Sequence, residues 1–385
     1  MTSWKGRRFE VTVGPVAHGG HCVARHEGRV VFVRHALPGE RVVAAVTEDR
    51  GGSFCRADAV SVLSASPDRV VPACPVAVPG GCGGCDWQHA TWDAQRALKA
   101  AVVAEQLSRL AGVTMPVEVE ALPGGPLNWR TRVRMTVDGE GRPGFFAHRS
   151  HRVVPVDDCP IAAPGTVDEV VSRPWPPDSS LTIAVDATAR THVAVGDAPD
   201  EVAVERAVRR EWRVSGFWQA HPDAADLYAE LVGEWAGLSE GESAWDLYAG
   251  VGLFAAVLAT RVGPSGSVMA VESHRPAAVE AAGNLSDLPQ VRVLAGRVEA
   301  VLRAGEGPDP SVVVLDPPRK GAGRQVVDAI AARGAARVVY VACDPAALAR
   351  DVATFHGHGY SLTRLRAFDA FPMTHHVECV ALLER

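Results

Sequence analysis

The sequence predicts an α/β protein in which an open, mostly parallel sheet is preceded by a small β-barrel and by a β-rich segment carrying a group of cysteines. From about Gly216 onward, strand runs alternate with helical segments, the pattern of a parallel sheet covered on both faces. Residues from about 8 to 64 instead alternate apolar and polar side chains between glycine turns, as short barrel strands do. Between these regions, Cys74, Cys82 and Cys85 are followed far downstream by Cys159. A chain of 385 residues has room for two or three domains, each usually about 100–200 residues long. The boundaries are expected at 1–66, 67–214 and 215–385.

The N-terminal alternation is clearest in Phe9-Glu10-Val11-Thr12-Val13 and Arg29-Val30-Val31-Phe32-Val33, with turns at Gly19-Gly20, Pro38-Gly39 and Gly51-Gly52. An OB-like barrel bearing His18, His21, Arg25, Arg29, Phe32, Arg34 and Arg41 is suited to single-stranded nucleic acid, which is held by backbone charge and base stacking. An ordinary barrel with a solvated face accounts for the same residues.

A helical run from about Thr91 to Leu110 follows the first three cysteines and is expected to dock on the third domain. After Pro116 strands return, among them Trp129-Arg130-Thr131-Arg132-Val133-Arg134-Met135, whose arginines alternate onto one face. With Arg142, His148, Arg149, His151 and Arg152 around Phe145-Phe146, they form the most basic part of the chain. Basic and aromatic residues interleaved this densely predict contact with RNA.

In a chain with no export signal, Cys-x7-Cys-x2-Cys with a distant Cys159-Pro160 reads as a metal site rather than as disulfides. Four thiolates suit zinc or an iron–sulfur cluster, and the proline beside two of them leans toward iron–sulfur. Cys22, Cys55 and Cys379 are expected to be structural.

In the third region the strand candidates are Ala244–Tyr248, Val268–Val271, Val291–Leu294, Val312–Leu315 and Val338–Val341. After the first comes Gly250-Val251-Gly252-Leu253-Phe254-Ala255, where glycines let the backbone approach a ligand at a helix N-terminus. Glu272 ends the second strand, placed to bind the hydroxyls of a ribose. An adenosine-type cofactor follows, NAD or S-adenosylmethionine. Asp316-Pro317-Pro318-Arg319-Lys320-Gly321 closes the fourth strand. Amino-group methyltransferases generally place an aromatic residue after Asp-Pro-Pro, and Arg319 argues against that chemistry here.

Cys343 ends the fifth strand, and Asp344-Pro345 begins a helix to about His356, with Asp344 as N-cap. At that junction the helix dipole favours a thiolate while the charge of Asp344 opposes it. Glu378 opens the last apolar run, Val377 to Leu383. An antiparallel strand there, beside the fifth, brings Glu378 next to Cys343. A thiol that adds to an electron-poor ring and a carboxylate that takes a proton from it are what methylation of a pyrimidine carbon requires.

Composition narrows the setting. Hydrophobic residues make up 47% and charged residues 22% of the chain, enough for ordinary globular cores. No run approaches the ~20 apolar residues of a membrane span, and the start lacks a signal-peptide stretch. A soluble, cytoplasmic protein without a membrane or an obligate protein partner is expected. The net charge is −6, but residues 1–160 carry 19 Lys+Arg against 16 Asp+Glu and residues 161–385 carry 20 against 29. Local patches rather than total charge therefore decide whether nucleic acid is the partner.

These motifs, in this order, resemble the RNA 5-methyluridine (uracil-C5) methyltransferase family, in the branch with an N-terminal TRAM domain and a [4Fe–4S] cluster. The resemblance covers nearly the whole chain, including Leu37-Pro38-Gly39-Glu40, Gly83-Gly84-Cys85, Arg130 to Arg134, His151 to Cys159 and Asp246 to Gly252. It implies a Rossmann-like class I methyltransferase domain behind a TRAM barrel and a central iron–sulfur domain. It further implies S-adenosylmethionine bound by Gln219, Tyr248, Gly250, Gly252, Glu272 and Asp316, Cys343 as nucleophile and Glu378 as base. Cys74, Cys82, Cys85 and Cys159 become the cluster ligands, and structured ribosomal or transfer RNA the partner. Leu253 stands where some members carry a cofactor-contacting Asn, Asp344 replaces a frequent Asn, and the first cysteine gap is wider than usual. An RNA-binding or redox-sensing iron–sulfur protein with a degenerate catalytic domain is the alternative from another class, and a base-amine methyltransferase the alternative enzyme.

Overall fold

The structure is a computed structural model that describes residues 3–196 and 202–385. Five strands make the N-terminal barrel: β1 (Arg8–Thr12), β2 (Cys22–His26), β3 (Arg29–Arg34), β4 (Arg41–Glu48) and β5 (Phe54–Ser64), in the order β1-β4-β5-β3-β2. β3 and β5 run parallel and the other neighbours antiparallel. The Gly14 amide donates to the Val23 carbonyl at 2.7 Å and the Val23 amide to Pro15 at 2.9 Å, closing the sheet on itself. Alternate residues Val31 and Val33, Val42, Ala44 and Val46 fill the interior together with Cys22 and Cys55.

The chain then runs through the cysteine loop into α1 (Trp92–Gln106), capped by Thr91 and continued by a π turn over Leu107–Ala111. Gly112, in the left-handed region, ends it. The π turn packs on the helix Pro345–Gly357 near the C-terminus, and Lys99, fully buried, is ion-paired with Asp369 and donates to the Phe371 carbonyl at 3.0 Å. Trp92 Nε1 donates to the other Asp369 oxygen at 2.7 Å. One carboxylate thus satisfies two donors of α1.

β6 (Val119–Ala121) precedes a five-stranded sheet made of β7 (Arg132–Val137), β8 (Pro143–Phe146) and β9 (Val153–Pro155) with β10 (Ser180–Val185) and β11 (Thr191–Val195), ordered β11-β10-β7-β8-β9. The short α2 (Asp168–Val171) lies between β9 and β10. A hairpin of β12 (Ala203–Ala207) and β13 (Arg210–Val214) leads to α3 (Ala224–Trp235).

The C-terminal sheet contains β14 (Ser243–Leu247), β15 (Ser267–Glu272), β16 (Val291–Ala295), β17 (Val312–Leu315), β18 (Arg337–Ala342), β19 (Ser361–Asp369) and β20 (Glu378–Glu384). Its helices are α4 (Leu253–Val262), α5 (Arg275–Asn284), α6 (Val298–Arg303), α7 (Arg324–Ala332) and α8 (Pro345–Gly357). The order β16-β15-β14-β17-β18-β20-β19-β6 has its switch point between β14 and β17, whose carboxyl ends open onto the crevice where such sheets bind ligands. β14 to β18 are parallel, and Val312 to Leu315 are buried on both faces.

One strand departs from the domain boundaries expected of the sequence. β6, from the middle of the chain, pairs in parallel with β19 and so belongs to the C-terminal sheet, where Glu120 accepts two hydrogen bonds from Arg366 at 2.8 and 2.6 Å. Among the described residues no helix is long and apolar enough to cross a membrane.

Candidate active site

Adjacent to the switch point, the loop after β14 is held in an unusual conformation. Tyr248 has φ of 70°, uncommon for a bulky residue, and its amide and that of Ala249 both donate to Val271 at 3.0 Å. Gly250 (φ 56°) and Gly252 (φ 98°) follow, and a Cβ on Gly252 would lie 2.6 Å from a Leu285 methyl. Glu272 Oε2 accepts from the Gly250 amide at 2.9 Å and Oε1 from the His274 amide at 2.6 Å, so the carboxylate ties the glycine loop to the end of β15. Gln219 lies on the connection between β13 and α3, partly buried, beside Ala220, whose carbonyl accepts from the Thr131 amide and hydroxyl.

Buried carboxyls line this edge. Burial pushes Asp246 up to about 8, eased by the backbone of Ala255 at the start of α4. Asp316, at the end of β17, is pushed up to about 7 by burial and by the charge of Glu272. Asp246 is not among the cofactor ligands expected from the sequence; its position as the last polar residue before Tyr248 and the glycine loop is the signal that marks it.

β20 runs antiparallel to β18 with Ala342 opposite Cys379, so the next pair in that register is Cys343 opposite Glu378. Glu378 is only 3% exposed, and burial together with the charge of Asp316 pushes its carboxyl well above the usual range, with Arg319 opposing. Burial, then Glu378 and Asp316, pushes the Cys343 thiol up to about 12. The helix N-terminus does not leave a free thiolate here, because burial beside two carboxyls outweighs it. Asp344 caps α8, accepting from the Ala347 amide at 2.8 Å, with Pro345 in the first turn.

A cavity of about 210 Å³ opens on Cys343 and is lined also by Arg319, His375 and His376, by Trp87 and by His18-Gly19-Gly20 of the barrel. Burial, with His375, Arg319 and Lys99 nearby, pushes His376 down to about 3, so its neutral Nε2 accepts from Arg319 at 3.0 Å. His376 and His375, two and three residues before Glu378, belong to no motif that marks them in the sequence, yet both face the site.

Cys74, Cys82, Cys85 and Cys159 come together around a separate cavity of about 270 Å³ that Arg130 and Arg134 also line. Burial pushes Cys82 up to about 11 and Cys85 up to about 12, and raises Cys159. The sulfurs accept hydrogen bonds, Cys82 from the Gly84 amide at 3.3 Å and Cys85 from Gln88 at 3.2 Å. Among the described residues no group of three or more His, Cys, Asp or Glu is arranged to hold a metal ion. Four thiols lining one cavity are a donor set that suits zinc or an iron–sulfur cluster. The loop also reaches the other site: the amides of Asp86 and Trp87 donate to Met373 at 2.9 and 3.0 Å, and Asp86 pairs with His375 at 2.6 Å.

The basic central region is largely occupied by partners within the chain. Arg132 pairs with Glu205 at 2.6 Å, Arg142 with Asp138 at 2.9 Å and Arg149 with Glu48 of the barrel at 2.9 Å. Phe217, two residues before Gln219, is 74% exposed, an aromatic outside the basic stretch that the sequence marks for RNA.

Residues 309–385 match the family model of tRNA (uracil-5-)-methyltransferases and residues 3–60 that of the TRAM domain. A protein of Streptomyces avermitilis described as an uncharacterized RNA methyltransferase is 48% identical, covering 98% of each chain. One from Bdellovibrio bacteriovorus with the same description is 32% identical over 98% of this chain and 95% of its own. The fold resembles the crystal structure of Pyrococcus abyssi tRNA (uracil-54, C5)-methyltransferase in complex with S-adenosyl-L-homocysteine, at a TM-score of 0.70 and 20% identity, covering 97% of this chain and 100% of that one.

Proposed function

This chain belongs to the RNA methyltransferase family, in the group with a TRAM domain and a uracil-5-methyltransferase C-terminal segment, and from that premise we propose that it converts a uridine of structured RNA to 5-methyluridine through a covalent bond to Cys343. The observation that carries this reading is the Ala342–Cys379 register, one step beyond which Cys343 and Glu378 come together near half-buried Asp316. S-adenosylmethionine, when bound at the β14–β17 edge, supplies an electrophilic methyl group. Tyr248, Gly250, Gly252, Glu272, Asp316 and Gln219 are proposed to hold it.

Carbon 5 of uracil is a weak nucleophile. Cys343 loses its proton to solvent and its thiolate adds to carbon 6, leaving an enolate whose carbon 5 would take the methyl group as the methyl–sulfur bond breaks and the neutral thioether leaves. Arg319, fixed by His376, supplies positive charge at the rim where the thiolate and enolate form. Glu378, ionised for this step against the burial that raises its carboxyl, then accepts the carbon 5 proton, the sulfur–carbon 6 bond breaks to return the ring's double bond, and the thiolate is regenerated. One proton is released for each methyl transferred. Because the target base must leave its stack to reach the cavity, the barrel and the exposed aromatic and basic residues of the central region are assigned to gripping RNA.

Cys74, Cys82, Cys85 and Cys159 are proposed to hold a [4Fe–4S] cluster, which would cross-link the loop that bonds to Met373 and His375. The proposed division is RNA gripping by residues 1–66, cluster binding by 67–214 and catalysis by 215–385, with ribosomal or transfer RNA in the cytoplasm as substrate. Mapping 5-methyluridine in both RNA classes, in cells with and without the protein, tests the reading. Identical maps would reject it.

A further inference from the structure

The barrel does more than flank the pocket. The turn between its first strands carries His18-Gly19-Gly20 to the mouth of the Cys343 cavity. Its fit is close: the Gly20 carbonyl accepts from Trp87 Nε1 at 3.0 Å, and a Cβ on Gly20 would stand 2.7 Å from the Cβ of His375. His18 Nε2 lies 2.9 Å from Asp344 Oδ2, while the other oxygen of Asp344 caps α8. Asp344 is thus fixed by the barrel on one side and the helix on the other, and it is the residue next to Cys343.

We propose that His18 is a positioning residue of the reaction: through Asp344 it fixes and electrostatically tunes the strand-to-helix junction that presents Cys343, making the barrel one wall of the reaction pocket. The assignment of a reaction to that pocket rests on the function proposed above; the coupling of His18 to Cys343 does not. An Asp344 charge left alone beside the sulfur raises the cost of a thiolate, and an imidazolium at 2.9 Å offsets it. The hydrogen bond to Asp344 also holds His18 above the ordinary imidazole range, against the nearby Arg350 and with Glu105. Both side chains reach solvent, His18 at 40% and Asp344 at 21%, so the pair adds little to stability and its variants should fold.

The test is a double-mutant cycle on the full-length protein. Alkylation of Cys343 by iodoacetamide at pH 6.5 is followed by peptide mass spectrometry, which separates it from the other cysteines. His18→Gln should slow alkylation about threefold, equivalent to half a pKa unit on the thiol. Asp344→Ser keeps a capping oxygen but removes the charge, and on that background His18→Gln should change the rate by less than about 1.5-fold. Turnover is measured in parallel, with labelled S-adenosylmethionine and bulk transfer and ribosomal RNA from cells lacking the protein. His18→Gln should lower it about ten- to a hundredfold at an unchanged half-saturating RNA concentration. Equal effects of His18→Gln on both backgrounds, or unchanged alkylation with only RNA affinity reduced, would overturn the proposal and leave the barrel a grip. Alkylation that follows the cycle in a wild-type protein that methylates no uridine would uphold the coupling and reject the proposed function instead.

Discussion

Cys343, the first residue after β18, stands next to Glu378, the first of β20, one step beyond the Ala342–Cys379 pair, and the Glu378 charge acts on its thiol although 35 positions separate them in sequence. On the proposed function the thiol and the carboxyl act on one ring, and their roles separate by mutation. Cys343→Ala should lower methylation by at least about a thousandfold and form no adduct, because nothing adds to carbon 6. Glu378→Gln should transfer one methyl and stall, because the carbon 5 proton stays and the sulfur cannot leave. A denaturing gel with labelled methyl donor and RNA should show a retarded protein–RNA band for the second variant alone. An adduct in Cys343→Ala, or wild-type turnover by Glu378→Gln, would remove this mechanism.

The buried Lys99–Asp369 pair joins α1 to β19, the strand that neighbours β20. Removing one partner leaves the other charge buried. Lys99→Ala should therefore cost about 3–5 kcal/mol in denaturant unfolding. Lys99→Met with Asp369→Leu should cost less than that single change, although Trp92 Nε1 then loses its acceptor. A double variant as unstable as Lys99→Ala would mean that the pair is held by more than charge compensation.

Much of the candidate site's geometry is legible in the sequence, and what is not shares a cause. The parallel strands announce themselves through apolar runs such as Val312-Val313-Val314-Leu315, and the cap through Asp344-Pro345. Topology alone then sets Glu378 beside Cys343. β6 gives no such signal, since three residues cannot show a period, and its place beside β19 is decided by the distant Arg366. Arg132 reads as part of an open basic strand because its partner Glu205 lies 73 residues away. His18 reads in sequence as one of the barrel's nucleic-acid residues and His376 belongs to no motif, and only the packing of barrel and sheet brings them to Cys343.

The four cysteines make a metal prediction that differs from that of a single ion. Protein purified without air should be brown and hold about four irons per chain, because thiols spread around a cavity form a soft cage for a cluster. One zinc and no iron on metal analysis would overturn this. Cys159→Ser should lose iron and lower the thermal midpoint, with the segment around Met373 and His375 loosening first, since the loop of Cys85 and Asp86 bonds to it. Hydrogen exchange over residues 371–378 reads that step separately from activity. Unchanged protection there after iron loss would mean that the cluster does not brace the base.

Buried carboxyls at the cofactor edge give the pH dependence its sign. Asp316 and Asp246 are held up to about 7 and about 8 by burial, well above their range in an unfolded chain. The folded protein therefore keeps protons that the unfolded chain has already lost. The stability this confers is full below about pH 4 and is lost as pH rises through 7 and 8. The unliganded thermal midpoint should fall between pH 6 and pH 9. A sulfonium cation bound beside ionised carboxylates offsets their repulsion, whereas the neutral thioether of S-adenosylhomocysteine does not. Calorimetry should thus find the affinity ratio of S-adenosylmethionine to S-adenosylhomocysteine rising severalfold from pH 6 to pH 8.5, and Asp316→Asn should flatten the rise. A ratio independent of pH in the wild type would show that these carboxyls do not face the donor's charge.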